Sequence, residues 1–106
     1  MKGQVVIIPF PFSDLSGSKK RPALVIADWE GEDVMLCQIT SKTKFDGIEI
    51  PLEENDFETG KLPVSSNIRP NKIFTADKKT IVGTAGRISF AKYDSVVKAI
   101  SKLIGI

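Results

Sequence analysis

Three polar clusters in this chain have the residue types and spacing to handle an oxyanion. The first lies in "SGSKKRPALVIA", where Lys19, Lys20 and Arg21 stand in a row behind Ser18. Pro22 follows at once; it fixes its own φ and pushes Arg21 toward extended backbone. An arginine placed by a strand rather than by a free loop presents a rigid fork of donors that suits phosphate. Lys19 and Lys20 add diffuse attraction. The second cluster, "QITSK", offers the hydroxyls of Thr40 and Ser41 and the cation of Lys42. The third, "NIRPNK", offers Arg69 and Asn71. Arginine, a hydroxyl and further cations suit a phosphodiester ligand. Taken alone, a Lys-Lys-Arg loop reads first as a solubilising surface, and the other two clusters are what tip the balance toward a ligand site.

Rival chemistries are scarce. The chain has no histidine, which removes Ser-His-Asp triads, Cys-His pairs, histidine zinc sites and histidine-based nuclease chemistry together. The single cysteine, Cys37 in "DVMLCQIT", allows no internal disulfide and reads as a small buried hydrophobe. No carboxylate triad, glycine-rich nucleotide loop or metal-ligand spacing is present, so no metal or other cofactor is expected.

The elements that must position these groups fit one domain over residues 1–106. Hydrophobic content of 42% and charged content of 26% match a soluble globular protein. No apolar run is long enough to cross a bilayer and no leader pattern opens the chain, so a cytoplasmic location without membrane contact is expected. Net charge is only +2, but it is unevenly spread. Residues 1–22 hold four cations and one acid, residues 28–58 ten acids and two cations, and residues 59–106 nine cations and two acids. Such asymmetry can make one face basic in a nearly neutral protein.

"GQVVIIPF" is rich in β-branched residues and reads as a strand. "PFSDLSGSKK" reads as a loop. "PALVIA" and "VMLCQIT" form a hairpin across "DWEGED", with Gly31 supplying the turn. In that hairpin the start of one strand faces the end of the other, so Arg21 and Thr40 become neighbours; a slip of one residue would turn one of them away. "GIEIPL" is a further strand, "EENDFETGKLPVSS" a loop, and "NIRPNKIFTAD" a strand whose proline marks an edge or a bulge. "KTIVGTAGRIS" gives strand pieces bent at Gly83 and Gly86. Phe90, Tyr93, Val97, Ile100 and Ile104 recur at helical spacing behind a Ser89 cap, and this stripe is expected to cover one end of the core. Asp94 and Lys98 are spaced for an i,i+4 pair.

At these same motifs the sequence resembles the MazF/PemK/Kid toxins of type II toxin–antitoxin systems, most closely the PemK-like branch. "KGQVVIIPFPFSDLSGSKKRPALVIA" is similar to the family's N-terminal motif, "LCQITSK" to its second motif, and "GKLPVSSNIRPNKIFTAD" to the PemK-like segment. The resemblance spans nearly the whole chain. It implies a mainly β fold, a small, strongly curved SH3-like barrel with a C-terminal helix. It implies metal-independent, sequence-specific cleavage of single-stranded RNA, typically mRNA. It also implies a homodimer and a labile antitoxin whose acidic, partly disordered C-terminal segment covers the RNA groove, the pair together binding DNA.

By residue matching, Arg21 and Thr40 take the places of the family's catalytic arginine and hydroxyl residue, and Arg69 matches an arginine implicated in the PemK/Kid branch. Ser18, Lys19, Lys20, Ser41, Lys42 and Asn71 are the expected RNA contacts. Phe12, between a proline and the polar loop, is the aromatic expected to meet a base or the antitoxin. Asn71 stands where the branch usually carries an aspartate, and asparagine cannot take a proton. With no histidine either, the site is poor in ordinary general bases, so catalysis by positioning and electrostatics is expected. Two alternatives share the fold: a non-catalytic toxin that binds a protein target such as gyrase, and a weakened pseudoenzyme that binds RNA or antitoxin.

Overall fold

The computed structural model describes residues 1–11, 18–43 and 45–106. The strands are β1 (Gln4–Pro11), β2 (Ser18–Asp28), β3 (Asp33–Thr40), β4 (Ile50–Leu52), β5 (Phe57–Gly60), β6 (Ser66–Asp77) and β7 (Gly83–Ile88). They form one sheet in the order β4-β6-β3-β2-β1-β7-β5, and a single helix, α1 (Phe90–Leu103), follows. The sheet curls into a half-barrel whose edges are β4 and β5, so the expected small barrel is an open one.

The apolar run after Pro22 is unbroken because β2 is covered on both faces. On one face Val5, Leu24, Cys37, Ile39, Ile68 and Ile88 pack beneath Val96 of α1. On the other, Val6, Ile8, Ala23, Val25, Val34 and Leu36 pack with Phe10, Phe74, Ala76 and Ile81. Strands buried on both sides lose the hydrophobic alternation of a half-exposed strand.

Curvature comes from irregular registers. Shifts occur between Val5 and Val6 against β7, between Val25 and Ala27 against β3, and between Cys37 and Gln38 against β6. A bulge of this kind bends a strand and increases its twist. The last of them is the one signalled by proline. Cys37 pairs with Ile73 but Gln38 pairs with Arg69, so residues 70–72 have no opposite partner. β6 nevertheless lies inside the sheet between β4 and β3, so Pro70 marks a bulge and not an edge. Gly60 and Gly86 allow β5 and β7 to close up, since a Cβ at Gly86 would strike the Thr59 carbonyl.

Three sequence expectations need correction. β2 begins at Ser18, so Lys19 and Lys20 are strand residues paired with Phe10 and Pro9 and not loop residues. The segment read as a loop after "GIEIPL" contains a 3-10 turn at Glu54–Asp56 and the whole of β5. The helix does begin at its Ser89 cap, whose Oγ accepts the Lys92 N–H at 3.2 Å, and Asp94 does pair with Lys98 at 2.9 Å. Its core face, however, is Tyr93, Val96 and Ile100. Phe90 (76% exposed), Val97 and Ile104 (66%) lie on the adjoining flank. At about 100° per residue, residues seven apart stay aligned, and this helix carries apolar residues on two neighbouring flanks.

Candidate active site

The β2–β3 register pairs Ala23 with Gln38 and Leu24 with Cys37. Carried to the strand ends, it sets Arg21 opposite Thr40, as the hairpin geometry requires. Both residues line one cleft of about 490 Å³. Lys19, Lys20 and Ser41 share its lining, and Leu62, Pro63, Val64 and Ser66 form the facing wall. Among the described residues the lining holds three cations and three hydroxyls and no carboxylate.

Each group is held by its element. Arg21 is half-buried and paired across the sheet with Ile8 of β1. Thr40, the last residue of β3, is buried, and its Oγ1 accepts the Lys42 N–H at 3.1 Å. That bond makes the chain turn at once behind Thr40, a local closure that a hydroxyl at a strand end favours. Ser41 and Lys42 are exposed on this turn. The wall is pinned in its own way: Ser66 Oγ donates to the Val64 carbonyl at 3.0 Å. Of the other expected contacts, Ser18 opens β2 opposite Pro11, and Phe12 lies outside the described residues.

Arg69 is placed elsewhere. It sits on β6 opposite Gln38, with a side chain only 6% exposed, and does not line the cleft. Its two terminal nitrogens donate to the two Asp46 oxygens at 3.1 and 2.7 Å, a bidentate grip. Glu49 stands at 3.7 Å. The Arg69 guanidinium, helped by the Ile48 N–H, holds the Asp46 carboxyl down at about 2. The Asp46 carboxylate in turn raises the pKa of Arg69. Asn71 is exposed in the bulge that follows Arg69. Beneath Arg69, the Cys37 thiol donates to the Arg69 carbonyl at 2.7 Å, and burial pushes it up to about 12.

Sequence reasoning missed the roles of Asp46 and Glu49 and the wall of Leu62, Pro63, Val64 and Ser66. The acidic block of residues 28–58 was the available signal. Four of its ten acids are drawn into ion pairs with the basic segment of residues 59–106: Arg69 with Asp46 and Glu49, Lys92 with Asp56 at 3.5 Å, and Lys61 with Glu54 at 3.9 Å.

A second, apolar groove of about 530 Å³ opens on the other face between Phe10, Phe74, Ile73 and Lys72. Phe10 and Phe74 meet edge to face there at 5.0 Å. Among the described residues no cluster of His, Cys, Asp or Glu is arranged to hold a metal ion.

Comparison with known proteins agrees with this architecture. The family model described as PemK-like, MazF-like toxin of type II toxin–antitoxin system matches residues 1–104. No curated relative matches the sequence. Among solved structures, an endoribonuclease in complex with its cognate antitoxin from a mycobacterial species superposes with a TM-score of 0.80 at 15% identity, over 100% of this chain and 95% of that one. A MazE–MazF complex from Deinococcus radiodurans gives a TM-score of 0.80 at 20% identity, over 99% and 95%. The Mycobacterium tuberculosis toxin MazF-mt6 gives 0.76 at 16%, over 97% of each chain. At such identities the likeness speaks for the fold.

Proposed function

The chain belongs to the PemK-like, MazF-like toxins of type II toxin–antitoxin systems, and on that premise we propose that it is an endoribonuclease that cuts single-stranded RNA in the Arg21–Thr40 cleft. The observation that carries the reading is the composition of that lining: Arg21, two lysines and the Thr40 and Ser41 hydroxyls, with no carboxylate among its described residues. Such a lining attracts a polyanion and offers donors to a phosphate. A single strand is the fitting substrate because an A-form duplex hides its base edges.

The ribose 2′-oxygen attacks the adjacent phosphorus as the bond from phosphorus to O5′ breaks. The products are a 2′,3′-cyclic phosphate and a 5′-hydroxyl. The 2′ proton passes to solvent and O5′ takes one up. The phosphorane gathers charge on its oxygens, and Arg21 clamps it with a planar fork. Thr40 donates from its hydroxyl, with its oxygen fixed by the Lys42 N–H. Lys19, Lys20, Lys42 and the hydroxyl of Ser41 hold the flanking strand. Arg69, expected as a third catalytic group, stays gripped by Asp46 outside the cleft lining and makes no direct contact with the phosphate; Asn71 beside it contacts RNA but supplies no base. The demand on the site is electrostatic and needs no metal.

An acidic, partly disordered antitoxin segment suits the same cleft by charge, and covering it blocks RNA. A homodimer acting in the cytoplasm is the family expectation that goes with this reading.

The test is cleavage of a long single-stranded RNA in EDTA with mapping of the new 5′ ends. Discrete cuts that vanish at a site bearing a 2′-deoxyribose are expected. RNA binding without any cut would overturn the enzyme and favour a non-catalytic binder.

A further inference from the structure

We propose that Phe45 is a specificity-determining contact of this enzyme, an aromatic platform on which one base of the bound RNA stacks; the inference rests on the endoribonuclease reading above. Among the described residues Phe45 is the most exposed aromatic, at 88%. It also has a φ of +55°, a left-handed conformation that bulky side chains rarely adopt. Neither feature serves the core. Both persist because the surrounding loop fixes them. The Phe45 N–H donates to Glu49 at 3.0 Å, and Asp46 accepts the Ile48 N–H at 3.1 Å. Asp46 then docks the whole turn on the buried Arg69. The loop is thus fastened from below, and its ring is held in solvent.

Its position suits RNA. Phe45 follows Thr40 by five residues, so at most ~17 Å of chain separates it from the cleft, a span of a few nucleotides. Ser41 lines the cleft and exposed Lys42 stands between. Both acids of the loop are drawn toward Arg69, which removes much of their repulsion for a polyanion. Among the described residues its neighbours Thr43, Asp46 and Gly47 are exposed and none is a large apolar residue, so the ring is not part of a broad apolar patch. Unstacked bases of single-stranded RNA are gripped by such faces, and a backbone already fixed loses little freedom on binding.

The test compares wild type with Phe45→Ala, Phe45→Leu and Phe45→Trp on two readouts. Anisotropy of a fluorescein-labelled, mixed-sequence single-stranded RNA measures binding without requiring a cut. Mapping of 5′ ends on a long RNA measures site choice. The alanine and leucine variants are expected to bind about fivefold to a hundredfold more weakly and to cut a broadened set of sites, while tryptophan retains affinity. Unchanged affinity and unchanged sites in Phe45→Ala overturn the proposal. So does an effect confined to self-association by sedimentation or to affinity for an acidic peptide, which would make the ring a protein contact. If wild type binds RNA and cuts nothing, yet alanine weakens binding and tryptophan restores it, the stacking contact stands and the nuclease reading falls.

Discussion

Asp46 holds Arg69 with both carboxylate oxygens, at 2.7 and 3.1 Å, across 23 residues of sequence. The grip joins the loop behind Thr40 to β6 and fixes how the turn carrying Phe45 meets the sheet. It also has a pH signature. The Asp46 carboxyl is lowered from 3.8 to about 2, chiefly by its hydrogen bonds to Arg69. A carboxyl lowered by folding contributes stability that is complete above its unfolded value and lost as pH falls through its folded one. The melting temperature of wild type is expected to drop as pH falls from 3.8 toward about 2. Asp46→Asn is expected to melt lower at neutral pH and to lose part of that drop. Parallel curves for the two proteins would show that the pair contributes nothing to the fold.

Much of this architecture can be read from residue order. Pro22, Gly31 and the two apolar runs define a hairpin that brings the start of β2 beside the end of β3, although the shift between Val25 and Ala27 that sets the final register carries no sequence signal. The Pro70 bulge and the Ser89 cap follow from single residues whose backbone needs are unambiguous. Other features depend on contacts the sequence does not order. β5, "FETG", is short and mostly exposed, and it exists because β7 offers an edge closely approached at Gly60 and Gly86. The buried flank of α1 was misread because Val97 and Ile104 fit the 3-and-4 spacing as well as Val96 does. The partnership of Arg69 with Asp46 needs the bulge at residues 70–72 and the loop turn together, and neither specifies it alone.

Thr40 Oγ1 accepts the Lys42 N–H that forms its turn, and in the proposed reaction the same hydroxyl donates to the substrate. Thr40→Ser keeps both bonds and is expected to retain most activity. Thr40→Val keeps the shape, loses both, and is expected to slow cleavage on the order of a hundredfold. Single-turnover cleavage of one labelled RNA separates them, and equal rates for valine and serine would remove the hydroxyl from the mechanism.

Gly86 and Gly83 make a matched pair within β7. A Cβ at Gly86 would meet the Thr59 carbonyl and Gly60 Cα, whereas nothing lies within 4 Å of one at Gly83. Gly86→Ala is expected to cost about 1–3 kcal/mol in urea unfolding, as overpacking does, and Gly83→Ala to be neutral or stabilising. Equal stability of the two variants would contradict the close approach of β5 and β7.

Cys37 is fully buried, and its thiol is raised to about 12 by that burial. Since the thiolate is the reactive form, native protein at pH 8 is expected to resist Ellman's reagent and to react promptly in denaturant. Rapid native labelling would show that the sheet opens at β3 far more readily than its packing implies.

The central claim is that Arg21 supplies the charge that stabilises the scissile phosphate. Its most direct test is the single-turnover cleavage rate of a defined single-stranded RNA in EDTA, for wild type, Arg21→Lys and Arg21→Ala, each first checked for a native melting transition. The account predicts wild-type cleavage to a 2′,3′-cyclic phosphate, an intermediate rate for lysine, which keeps the charge but not the fork, and a loss of a hundredfold or more for alanine. A folded Arg21→Ala that cuts the same RNA at the wild-type rate would contradict it.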